Sequence, residues 1–77
     1  MRYIVVEVYD RLDRQTVTVR SMQTDIRREI DLARNFNIRF GDFIWPGKGC
    51  VYWTPADGQR RDIPVPQLGN TRIAPKV

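Results

Sequence analysis

The chain contains no histidine and a single cysteine, Cys50. Without histidine, no side chain has an ordinary pKa near neutrality. That excludes Ser-His-Asp and Cys-His nucleophile pairs. One thiol with no imidazole cannot build a structural zinc site, and a lone Cys50 cannot close an internal disulfide, which agrees with a reducing compartment. The carboxylates and the lysines could do chemistry, but nothing in their spacing groups them into a shared pocket. The reading is therefore a non-enzymatic protein. It carries no catalytic residue, no metal ligand and no cofactor site, and it acts by binding.

Long hydrophobic runs are also missing. No stretch approaches the roughly 18 apolar residues that span a bilayer. The opening Arg2-Tyr3-Ile4-Val5-Val6 is broken at once by Glu7, so it reads as a strand rather than a signal peptide. The expectation is a cytoplasmic protein with no membrane contact. Seventy-seven residues make one domain, and a chain so short buries only about 60% of the surface that its unfolded form exposes. With 42% hydrophobic and 29% charged residues, the composition is that of a globular fold rather than a disordered one.

What the chain does have is arginine. The net charge is +4, and eleven of the thirteen basic residues are Arg. Arginine pairs in a planar fork with carboxylates and phosphates and stacks on aromatic rings. The charge is interleaved, as in Asp10-Arg11-Leu12-Asp13-Arg14 and Arg27-Arg28-Glu29-Ile30-Asp31. Mixed signs favour a solvated or protein-facing surface over a dedicated phosphate track.

Tyr3 to Tyr9 reads as a first strand, with Ile4, Val6 and Val8 toward the core, and Thr16 to Met22 as a second, with Val17 and Val19 inward. Thr24 is a candidate N-cap and Asp25 suits a first helical turn. Ile26, Ile30 and Ala33, widened by Leu32 and Phe36, have helical spacing, so a helix is expected from the Thr24 cap to about Phe36 or Asn37, where Asn37 can take the left-handed conformation that ends helices. Gly41-Asp42 suits a hairpin turn between 38–40 and 43–45. Gly47-Lys48-Gly49 lacks the spacing and following helix of a phosphate loop and reads as a plain turn. Cys50 to Thr54 is a further strand. Residues 59–65 pair back onto it after Pro55-Ala56-Asp57-Gly58, with Pro64 at an edge.

The expected architecture is α+β, in ββαββ order: a small antiparallel or mixed sheet over residues 1–65 with one amphipathic helix packed on one face. Residues 66–77 follow as an extended or flexible tail that adds little to the fold. In element order this resembles the β-grasp, or ubiquitin-like, architecture. The chain does not end in a di-glycine, so the likeness implies no conjugating role.

The expected partner-contacting residues are Arg11 and Arg14 in the first loop, Arg60 and Arg61 after the Pro-Ala-Asp-Gly turn, Arg27 and Arg28 on the expected helix, and Trp53. Arginines in loops are well placed for contact. An exposed aromatic among Tyr9, Trp45 and Trp53 would anchor a protein interface. Equally, Trp45 and Trp53 are the largest candidates for the core. In size and arginine content the chain resembles the inhibitor and accessory proteins of bacteriophages and other mobile elements. That implies a module which occludes a larger protein with an acidic surface. The alternative is a small basic nucleic-acid-binding protein that uses arginine-rich loops.

Overall fold

The computed structural model describes residues 2–57, 61–69 and 71–73. They form one sheet of seven antiparallel strands: β1 (Tyr3–Asp10), β2 (Gln15–Ser21), β3 (Arg27–Leu32), β4 (Phe43–Pro46), β5 (Cys50–Thr54), β6 (Ile63–Pro66) and β7 (Arg72–Ile73). The order across the sheet is β6-β5-β4-β1-β2-β3-β7. No helix occurs among the described residues, so the expected α+β fold, with its packed helix and β-grasp-like order, is corrected to all-β.

The segment expected as a helix holds β3. Its helical spacing coexists with a period of two in Arg28, Ile30 and Leu32, and the structure uses that period. Those residues stand opposite Val19, Val17 and Gln15 of β2, while Arg27, Glu29 and Asp31 take the other face. Ile30 and Leu32 are buried, but Ile26 is 46% exposed and outside the core. Helix nucleation is costly in so short a segment, and pairing with β2 overrides the good helix propensity of Leu32, Ala33 and Arg34. Thr24 does accept a hydrogen bond from the Ile26 N–H at 3.3 Å, the local bond of a cap, but within a turn. The left-handed residue is Asn35 (φ 76°) rather than Asn37.

β1 departs from simple alternation. Val5 pairs with Val19, but Glu7 pairs with Thr18 and Val8 with Val17, so one extra residue is bulged out at Val6. A bulge shifts the phase of everything beyond it. Tyr3 and Val5 therefore face the core before it and Val8 after it. Val5 is fully buried, whereas Ile4 and Val6, expected inward, are only half-buried.

The sheet closes on itself. β6 pairs with β5, and the chain then crosses directly to the far edge, where Gln67 bridges Leu32 and β7 pairs with Arg28 and Glu29 of β3. The Ala33 N–H donates to the Pro66 carbonyl at 3.0 Å and the Leu68 N–H to the Asp31 carbonyl at 2.8 Å. Of the tail expected from Pro66 onward, Pro66, Gln67 and Leu68 bond to the end of β3, and Arg72 and Ile73 pair with it as β7; residue 70 and residues 74–77 fall outside the described residues. Closure encloses one core of Val5, Val17, Val19, Ile30, Leu32, Ile38, Ile44, Val51, Trp53 and Val65.

Ahead of β4, residues 38–40 form no strand, and Ile38 is buried as a core residue instead. Asp42 organises this turn. Its carboxylate accepts from the Arg39 N–H (2.9 Å), the Trp53 Nε1–H (2.8 Å) and the Ala56 N–H (3.0 Å). Gly41 supplies the left-handed residue (φ 90°) and donates its N–H to the Val5 carbonyl.

Two truncations separate the strand from the helix as the setting of this segment. Leu32→Ala should cost about 2–5 kcal/mol on chemical denaturation. Ile26→Ala should stay within about 0.5 kcal/mol of the parent, as surface changes do. Equal, large losses at both positions would restore the helical stripe.

Candidate binding surface

The expected contact residues do not form one patch. Arg11 donates Nε–H to Thr16 Oγ1 at 3.0 Å. Arg14 is paired with Asp13 at 3.1 Å and with Asp31 at 3.2 Å. Trp53 is a core residue whose indole is fixed by Asp42. Arg61 is exposed and ion-paired with Asp57, and Arg60 lies outside the described residues. Arg27 and Arg28 belong to β3, not a helix, and point to opposite faces of the sheet. Tyr9 is exposed and donates its hydroxyl to the Glu7 carboxylate, which raises the phenol pKa.

Arg11 and Arg14 serve a network centred on Asp31. The Arg72 guanidinium binds the Asp31 carboxylate through two N–H groups, at 2.9 and 3.1 Å. Thr16 Oγ1 donates at 2.9 Å and Arg14 at 3.2 Å. The Arg72 hydrogen bonds, with those from Thr16 and Arg14, hold the Asp31 carboxyl well below the usual range against the opposing effect of burial. The network lies on the outer side of the sheet, opposite the core, and its role is to close the sheet.

The surface without such internal use is the outer face of β4, β1 and β2. Alternation decides its membership. Ile44, Val51 and Trp53 point inward, so Phe43, Trp45, Tyr52 and Thr54 point outward. The register places Arg27, Arg20, Ile4, Phe43 and Thr54 in one row across five strands. A second row runs from Trp45 to Tyr52 and Pro64. Arg2 lies against both rows, its guanidinium carbon 5.4 Å from the Phe43 ring centroid and 5.2 Å from that of Trp45. Beside it, the Met22 N–H donates to the Arg2 carbonyl, and the Met22 side chain is exposed. Among the described residues Arg20 makes only a long contact, 3.8 Å, with the exposed Asp25.

Residue-type reasoning misses Arg2, Arg20, Phe43 and Tyr52, because what assembles them is register. The available signal was the alternation itself: with Ile44 and Val51 inward, their neighbours must face out.

A separate open cleft of about 540 Å³ sits by the turn ahead of β4, with Asp42, Trp53 and Pro55 among the residues lining it, Arg39 and Arg61 beside it, and Phe40 highly exposed at its lip. Among the described residues no three His, Cys, Asp or Glu side chains stand together as a metal site, and no helix is long and apolar enough to cross a membrane. Comparison with known proteins finds no match: neither a protein-family model, nor a curated protein, nor a solved structure is significantly similar to this chain.

The Asp31 network gives a signed pH dependence. Because the folded-state pKa is depressed, its stabilisation is fully present above the ordinary aspartate value near about 4 and is lost as pH falls from there through the folded value. Asp31→Asn should therefore lower stability at neutral pH, by about 1–3 kcal/mol, and flatten the acid limb of stability against pH. An acid limb as steep as the parent's would show that Asp31 is not the titrating clamp.

Proposed function

We propose that this protein is a non-enzymatic binding module which engages a protein partner with an acidic surface through the outer face built from Arg2, Arg20, Arg27, Phe43, Trp45 and Tyr52. The observation that carries this reading is Arg2 laid over two aromatic rings. Stacking fixes the guanidinium in place while leaving its in-plane N–H groups free for a carboxylate. Part of the ordering cost of binding is then met before the partner arrives. Trp, Tyr and Arg are also the residue types that dominate protein interfaces. The module would act in the cytoplasm by occluding a larger partner, in the manner of the mobile-element inhibitors that its size and arginine content resemble.

The same face suits a nucleic acid less well. Single strands bind by stacking bases on open aromatic faces along a basic track. Here Arg2 already covers Phe43 and Trp45. The next rows along the sheet also carry Glu7, Glu29 and Asp31.

A benzophenone amino acid in place of Tyr52 tests the reading in cells of the native host. The expected result is a discrete protein adduct, absent when the same photoreactive group replaces the fully exposed Leu12. With that partner purified, Arg2→Glu should weaken binding at least about tenfold, or about 1.4 kcal/mol. Adducts to nucleic acid alone, or affinity indifferent to Arg2→Glu, would overturn the proposal.

A further inference from the structure

Arg28 is a half-buried charge on the inward face of a strand whose other inward residues are apolar. It shares the inward face of β3 with Ile30 and Leu32 and pairs across to Val19, which pairs in turn with Val5. Valine at both of those positions is fully buried. On its other side Arg28 pairs with Ile73, which is 73% exposed, so the guanidinium stands at the open end of the core. It has no counterion: among the described residues Arg28 makes no ion pair and no side-chain hydrogen bond, unlike Arg14 and Arg72 on the opposite face.

Beside Arg28 the closed sheet leaves a mouth. A pocket of about 170 Å³ opens there between the strand that follows Pro66 and the β4–β5 hairpin. Its walls are apolar, from Ile30, Ile44, Val51 and Pro46. Tyr3 lines it too, and the Tyr3 hydroxyl also has no partner among the described residues. Gln67 and Thr71 complete the rim, but they are hydrogen-bonded to each other at 3.1 Å. Among the described residues no carboxylate lines the pocket. The volume is that of about six waters of the liquid, the room of a short branched alkyl chain.

From this combination we infer that the mouth is a binding site for a carboxylate carried on a small branched aliphatic body. The alkyl part enters between Ile30, Ile44 and Val51, and the carboxylate pairs with the Arg28 guanidinium, aided by the Tyr3 hydroxyl. A charge-assisted pair formed next to an apolar wall is stronger than one in open water. The site is distinct from the outer aromatic face and stands or falls apart from it. The same chemistry is offered by a free branched-chain acid and by the C-terminal leucine of a polypeptide.

The test uses the whole chain with methyl-labelled isoleucine and valine, titrated with 4-methylpentanoate and, in parallel, with 4-methylpentanamide. The expected result is saturable shifts of the Ile30, Ile44 and Val51 methyls with the acid, at about millimolar affinity, and at least about tenfold weaker binding of the amide. Arg28→Gln should abolish the preference for the acid, Arg28→Lys should retain part of it, and Arg34→Ala, on another surface, should leave it unchanged. A tetrapeptide ending in leucine distinguishes the sources: binding well above that of the free acid assigns the site to a chain terminus, and equal or weaker binding assigns it to the small acid. Equal binding of acid and amide, or no shift of these methyls with either, would overturn the inference. The spectrum of each variant reports its folding, so a collapsed Arg28→Gln cannot be mistaken for lost recognition, and Arg28→Lys then decides.

Discussion

Asp31 holds the sheet closed with both of its acceptor groups. Its backbone carbonyl takes the Leu68 N–H, and its carboxylate takes both arms of Arg72. The sheet's edges are joined by Pro66, Gln67 and Leu68, which continue β6 onto the end of β3, and by β7 beside Arg28 and Glu29. An open sheet of this size would leave its apolar face half-solvated and its edges free to pair with other chains. Closure removes both problems at once, and it explains why a chain of 77 residues can bury ten hydrophobic side chains. Asp42 does the matching task at the other junction, tying the turn ahead of β4 to Trp53 and Ala56.

Local chemistry revealed the strands whose residue types favour no other element. β1, β2 and β5 could be read from β-branched and aromatic runs, and the turn at Gly47-Lys48-Gly49 from its glycines, the last of them left-handed at φ 68°. β3 could not be read that way. Arg28, Ile30 and Leu32 fit a strand as well as Ile26, Ile30 and Ala33 fit a helix. What chooses between them is β2, whose Val17 and Val19 need partners across the ladder. The bulge at Val6 is invisible for a related reason. Ile4, Val5, Val6 and Val8 are all apolar, so the run admits either phase, and only the pairing of Glu7 with Thr18 shows where it slips.

The candidate surfaces divide along the same line. Arginine clusters in loops were conspicuous in the sequence, yet Arg11 and Arg14 turn out to be occupied by Thr16 and Asp31. The exposed face depends instead on residues far apart in sequence, such as Arg2 against Trp45 and Arg20 beside Ile4. Interleaved charge could not say which arginines were held by a partner within the fold. Freedom is set by whether a carboxylate lies across the ladder, and that is a property of register.

Register also explains why the chain can be so basic without repelling itself apart. Its two buried carboxylates, Asp31 and Asp42, are used inside the fold, one against guanidinium groups and one against neutral N–H donors. Arg14 and Arg72 are consumed by the first. Asp42 takes no arginine side chain, so its charge balances none of the surface cations directly. Of the other arginines, Arg11, Arg34 and Arg39 lie in loops, Arg2, Arg20 and Arg27 on the sheet's outer face, and Arg28 at the mouth. The same alternation that closes the core thus separates two guanidinium groups, that of Arg2 resting on aromatic rings and that of Arg28 beside an apolar pocket. The first has room for a macromolecular surface, the second only for a small group entering end-on.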